Sequence, residues 1–232
     1  MSERVAARFA PGPLGVSLRV VSRPPPSVTA KRYRGASADE RRAQRRRRLI
    51  EAAVQVYGER GFHNSSVKAV CDAAGLTERY FYESFANSEA LLVASVEGAT
   101  ELLIEAMRAA GEDKPVGPAR VRGMLETYYW ALKQEPVAAR VFVIEIRGVS
   151  RAVDDVQRIL RARLADMLEA AWGGEASASD SLIKTGVIGA MIHIATAWVS
   201  GGYARPLAEV VDAAFGFCTL LKADEATARP SA

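Results

Sequence analysis

Apolar residues recur along most of this chain at three- and four-residue intervals, the spacing of a helix with one buried face. No segment alternates in the two-residue rhythm of a strand. From Ser37 onward the pattern predicts about nine helices. The first covers residues 37–60, with Leu49, Ala53, Val56 and Tyr57 as its apolar stripe. Asp39 and Glu40 fall in its first turn, where acids suit the positive end of the helix dipole, and Gly61 ends it. Two short helices follow at 67–74 and 77–85, with Ser65, Ser66 and Thr77 as candidate caps and Gly75 between them. A longer helix starts near Ser88 and runs to about Ala110. Further helices are expected near 119–134, 137–147, 152–172, 180–202 and 206–222, separated by Pro136, Gly148, Gly173-Gly174 and Gly201-Gly202 with Pro206.

The ends read differently. Residues 1–36 carry no helical or alternating pattern, include Pro24, Pro25 and Pro26 in a row, and are read as a disordered basic arm. The tail from Ala223 to Ala232 is small and polar and is expected to fray. Between them the division is a first helical unit at 37–98 and a second at 99–222. Thr185 to Ala204 has no formal charge and is long enough to span a bilayer. Its four glycines and four polar residues favour a buried bundle helix, and no membrane partner is expected.

Composition narrows the class. Hydrophobic residues make up 49% and charged residues 25%, the balance of a globular chain. Two cysteines, Cys71 and Cys218, and two histidines, His63 and His193, offer neither a disulfide framework nor a metal site. A reducing, cytoplasmic setting without a cofactor is expected. The net charge of +4 conceals a division. Residues 1–48 hold thirteen Lys/Arg against three Asp/Glu, a balance of +10; the remainder holds eighteen against twenty-four, a balance of −6. The basic end should meet a polyanion and the rest should avoid one.

The most informative stretch is Ser65 to Leu92. Two short helices joined at Gly75-Leu76 form a helix-turn-helix, within residues 66–85, whose second helix is the kind that lies in a DNA major groove. Val70, Ala74, Leu76, Phe81 and Phe85 are spaced to bury against the first helix. Thr77, Glu78, Arg79, Tyr80, Tyr82, Glu83 and Ser84 remain for exposed faces.

From about Arg45 to Gly98 the sequence resembles the DNA-binding domain of the TetR family of transcriptional regulators. Leu49, Ala52, Ala53 and Tyr57 carry the first-helix pattern, followed by Gly61-Phe62, Ser66 and Lys68, and Ala74-Gly75-Leu76-Thr77. Phe81-Tyr82 with Phe85, then Glu89 with Leu91-Leu92, complete the match in register. Ser88 stands where the family usually has lysine, and Tyr80 where it often has a small residue. The resemblance implies an all-α chain with an N-terminal helix-turn-helix domain and a C-terminal ligand-binding and dimerisation domain. It implies Ser66 and Tyr82 on phosphates. It places Lys68, Thr77, Glu78, Arg79, Tyr80 and Glu83 near base edges or sugars, with Arg79 and Lys68 best suited to a bidentate guanine contact. The partner is then a double-stranded, pseudo-palindromic operator bound by a homodimer.

Arg45 and Arg46 belong to an arginine run, Arg41, Arg42 and Arg45 to Arg48, that follows the arm; the arm either tracks phosphates or enters the adjacent minor groove, or remains a solvated tail. In the C-terminal half, Leu207, Val211, Ala214, Cys218 and Leu221 repeat at four and three residues, either as a dimer seam with Trp198 as anchor or as the chain's own core. Gly186, Gly189 and Ala190 would permit close approach of a second copy. Met107, Tyr128, Phe142, Met167 and His193 are candidate linings for a small apolar or aromatic effector, or plain core. No catalytic motif is present, so an enzyme is not expected. The reading is a ligand-responsive repressor; the alternative is a helical adaptor whose helix-turn-helix has lost DNA reading.

Overall fold

A computed structural model describes residues 37–173 and 182–228. The expectations for residues 1–36, for the Gly174 to Ser181 stretch and for residues 229–232 lie outside the described residues. The described chain is all-α, without a strand, and its helices are α1 (Ala38–Arg60), α2 (Val67–Ala74), α3 (Glu78–Tyr82), α4 (Ser88–Glu112) and α5 (Pro118–Gln134). They continue with α6 (Pro136–Arg140), α7 (Arg151–Trp172), α8 (Leu182–Ser200) and α9 (Leu207–Ala228). A π-helical turn, Val141–Glu145, extends α6.

Local chemistry explains the boundaries. Ser37 and Glu40 close a capping box, the Ser37 Oγ accepting from the Glu40 amide at 3.1 Å and the Glu40 carboxylate accepting from the Ser37 amide at 2.6 Å. Ser66 caps α2 by accepting from the Ala69 amide, and Asn87 caps α4 by accepting from the Ala90 amide at 2.8 Å. Thr77 stands at the N-cap of α3 but its side chain makes no capping bond, contrary to expectation. The α2–α3 turn depends on Gly75, whose φ of +61° puts it in the left-handed region. There its amide and that of Leu76 satisfy the last carbonyls of α2.

Two boundaries move. Gly111, expected to open a loop, lies inside α4 and is buried. The backbone of residues 223–228 continues α9 instead of fraying, because Ala223-Asp224-Glu225-Ala226 contains no helix breaker.

Two apolar clusters organise these helices. The first joins Leu49, Ile50, Ala53, Val56 and Tyr57 of α1 to Val70, Phe81, Phe85, Leu91 and Leu92, which makes the first four helices one head. Val141 and Ile146, flanking the π turn's interior, also enter this cluster. The second cluster packs α5 against α8 and α9, with Tyr129 at its centre donating its buried hydroxyl to the Met191 carbonyl at 2.9 Å. Phe142 packs against both clusters.

Helix α8 is long and apolar enough to cross a membrane, yet only a third of that apolar window is buried. One face of it packs in the core of this single chain, and the other is open. Val187, Ile188, Met191, Ala195 and Trp198 face the core, while Gly186, Gly189 and His193 face outward. The α8–α9 turn places Tyr203 at φ +60°. Its ring lies edge-on to Trp198 at 4.9 Å and its hydroxyl donates to the Leu132 carbonyl at 2.9 Å, anchors that offset the strain.

Candidate functional site

The surface around α2 and α3 gathers most of the residues singled out from sequence. Ser66 and Lys68 on α2, and Thr77, Glu78, Arg79, Tyr82 and Glu83 at α3, are all exposed. The ring of Tyr82 is 59% accessible while the adjacent Phe81 is fully buried. That contrast within one turn defines an apolar heel and a polar toe. Phe81 and Phe85 fix the heel, so the toe is presented on a rigid base.

Arginines of α1 frame this surface. Arg42, Arg45 and Arg48 recur every three residues and so share one helix face. Arg48 donates to the Ala74 carbonyl at 2.6 Å, at the end of α2. Arg42 donates to the Glu83 carbonyl at 3.0 Å, and Arg45 stands 3.7 Å from the Glu83 carboxylate. Arg45 also lies over the Tyr80 ring, 4.4 Å from its centroid. Tyr80 is accordingly half-buried, and its bulk is absorbed by a cation–π stack instead of blocking the surface. Arg46 parts from this group. It packs over the Phe85 ring at 4.7 Å and lines a groove between α4 and α7. Sequence alone treats the whole run alike, Arg42 and Arg48 included; the three-residue spacing is the signal that separates Arg42, Arg45 and Arg48 from Arg46.

Lys68 forms an exposed ion pair with Asp72 at 2.7 Å. That hydrogen bond and charge hold its ammonium above the usual lysine range, so it stays charged at any physiological pH.

Deeper in the chain a cavity of about 100 Å³ opens between α4, α5, the π turn and α7. Met107, Tyr128 and Phe142 line it. Met167 does not; it faces a separate groove with Arg108, Arg120 and Met124. His193 does not either, because it sits on the exposed side of α8. Polar groups in the lining are Thr100, Gln157 and Arg161. Gln157 is buried and donates to the Ile146 carbonyl at 3.1 Å, and Arg161 donates to Gln157 at 2.6 Å. Burial raises the Tyr128 phenol well above its ordinary range, with the charge of Arg161 offsetting part of the shift.

The expected dimer seam is the chain's own core. Val211, Ala214, Cys218 and Trp198 are buried inside the second cluster, and Leu207 is partly buried against it. Burial pushes the Cys218 thiol up to about 12. The four-and-three spacing locates a buried stripe correctly but not the partner that buries it. On the side of α9 away from that stripe, Phe217 and Leu220 are exposed beside Ala213 and Gly216, and Gly186 and Gly189 are exposed on α8.

A two-helix wedge with a rigid apolar heel, a polar toe and an arginine border is the design of a helix-turn-helix DNA-binding protein. Residues 49–94 match the family described as bacterial regulatory proteins, tetR family. That match makes the head, residues 49–94, similar to the DNA-binding domain of the tetR family. Solved structures share the chain's fold. The transcriptional regulator FadR from Bacillus subtilis, solved in complex with stearoyl-CoA, is 20% identical, with a TM-score of 0.65 over 74% of this chain and 96% of that one. The fatty acid degradation regulator FadR from Bacillus halodurans is 18% identical, with a TM-score of 0.66 over 75% and 94%. A TetR-like regulator from Rhodococcus sp. RHA1 is 24% identical, with a TM-score of 0.56 over 81% and 98%. At these identities the likeness is one of fold.

Proposed function

We propose that the chain is a ligand-responsive repressor that acts in the cytoplasm and binds a pseudo-palindromic operator as a homodimer. The observation that carries this reading is the wedge itself, with Ser66, Lys68, Thr77, Arg79 and Tyr82 exposed on one rigid base. Tyr82 and Ser66 are assigned to phosphates, and Lys68 and Arg79 to base edges. The adaptor alternative draws on Tyr80 and Ser88, and the stacking of Tyr80 beneath Arg45 removes the first of its two supports.

The effector site is assigned to the cavity bounded by Met107, Tyr128 and Phe142. Its lining fits an apolar or aromatic ligand with a polar or anionic end near Gln157 and Arg161. At about 100 Å³ it is smaller than an occupied ligand pocket, which is typically ~300–1,000 Å³. Ligand entry must therefore separate the walls, and a ligand that binds only the opened state shifts the equilibrium toward it. Stearoyl-CoA, the ligand of the Bacillus subtilis neighbour, is the first probe to test.

The π turn is the element that would report this opening to the head. Phe142 and Ile146 line the cavity, Ile146 also belongs to the head's core, and Glu145 accepts from the Phe62 amide at 3.2 Å, just past the end of α1. In an operator-binding titration, stearoyl-CoA is expected to release the wild-type chain. Glu145→Ala should keep operator affinity but lose most of that response, a coupling of about 5–150-fold. Full release of the variant at wild-type ligand concentration would exclude Glu145 from the coupling. An acyl-CoA series without any effect would exclude this ligand class.

A further inference from the structure

We propose that Glu83 sets the sequence discrimination of the reading helix, acting through Arg79 and Arg45 and not by contacting a base itself. The inference rests on α3 being the helix that reads DNA. Sequence alone places Glu83 among the residues near base edges. In the folded chain it stands at the end of α3 with its carboxylate turned into a cluster of arginines. Its Oε1 accepts from Arg79 Nε at 3.1 Å, and its Oε2 lies 3.7 Å from Arg45 Nη2. Its main-chain carbonyl accepts from Arg42 at 3.0 Å. Basic side chains from two helices thus converge on one residue.

The atom through which Arg79 is bound is decisive. A guanidinium held at Nε leaves the outer N–H pair of its two terminal nitrogens free as a planar fork. That fork matches the O6 and N7 acceptors of guanine. The side chain of Arg79 is 85% exposed, so without Glu83 it would sample many rotamers and meet phosphates as readily as bases. Arg45 is held differently. With only 24% of its side chain exposed, it is fixed between the carboxylate and the face of Tyr80.

For DNA this arrangement matters in two ways. The carboxylate offsets positive charge beside the groove, which lowers the sequence-independent gain from phosphate neutralisation. It also preorders the Arg79 fork, so the base contact costs less conformational freedom. The first effect lowers binding to any sequence, and the second widens the gap between specific and non-specific binding.

Glutamine and alanine at this position separate charge from geometry. Glu83→Gln retains an oxygen acceptor for Arg79 Nε but removes the charge. It should bind random-sequence duplex more tightly, with a salt dependence steeper by about one phosphate equivalent. Glu83→Ala removes both and should lower the specific-to-random affinity ratio by about two- to threefold, with the loss concentrated at one G·C pair. Arg79→Ala should relax preference at that same pair, and adding Glu83→Ala to it should cost no further discrimination. Circular dichroism melts of each variant establish that the head remains folded. Additive losses in the double variant would overturn the proposal, because Glu83 would then read a base independently. Equal changes in specific and random binding with an unaltered salt slope would also overturn it, leaving a structural brace. A wild-type chain with no sequence preference would instead refute the DNA-reading function on which it rests.

Discussion

Replacing Lys68 and Tyr82 together by alanine is expected to weaken operator binding by about 30-fold to more than 10⁴-fold, on the basis of roughly 1–3 kcal/mol for each side chain's interaction with DNA. Neither side chain supports the fold. Tyr82 is 59% exposed, and the Lys68–Asp72 pair lies on the surface, where removing an ion pair costs little stability. The melting temperature should therefore stay close to wild type while affinity falls. The two substitutions differ in their salt signature. Losing the Lys68 charge should lower the salt slope by about 0.9 if it neutralises a phosphate, and leave it nearly unchanged if it reads a base. Tyr82 is neutral and should affect affinity without affecting the slope. Fluorescence anisotropy at three or more salt concentrations distinguishes these cases. Wild-type affinity in the folded double variant would remove the basis for placing α2 and α3 in the groove.

The second large effect concerns assembly. Phe217 and Leu220 are exposed apolar residues on α9, 46% and 49% accessible, and α8, which packs against α9, exposes Gly186 and Gly189. A Cβ added at Gly186, Gly189 or Gly216 would meet nothing, so this outer surface offers room for another helix pair to approach closely. The homodimer proposed above is expected to use this face. Phe217→Glu with Leu220→Glu should give a folded monomer by sedimentation, because buried like charges across a two-fold axis repel. Operator affinity should fall by about 10²–10⁴-fold, the advantage that disappears when two linked half-sites are bound independently. Val211→Glu provides the contrast. Val211 is 1% exposed inside the second cluster, so its replacement should unfold the C-terminal helices instead of merely separating subunits. A dimer surviving both outer substitutions would move the interface elsewhere.

How far sequence can reach depends on how local the determining interactions are. The head is legible because each decision is made within a few residues. Ser66 caps its own helix, Gly75 supplies its own left-handed turn, and Phe81 and Phe85 lie one helical turn apart on the same buried side. The C-terminal half is not, because its side chains are allocated by elements far apart in the chain. Cys218 and Val211 have the spacing of a stripe, but only the packing of α5 and α8 shows that the stripe is already covered. His193 looks in sequence like an inward polar group on an apolar helix, yet a helix with one open face carries apolar residues on both sides. Met167 and Met107 are indistinguishable in composition; their positions on α7 and α4 send one to an outer groove and the other to the cavity. The π turn has no sequence signature beyond the run Val141 to Ile144, which is apolar because the head and the body both use it.

Selection of binding sites from random duplex DNA by the purified full-length chain tests sequence-specific recognition most directly. Enrichment of a two-fold symmetric pair of half-sites, centred about 10 base pairs or a multiple apart, is the expected result, and it should vanish when Lys68 and Tyr82 are both alanine. Random sequence remaining after repeated rounds, at salt low enough to retain binding, would contradict it.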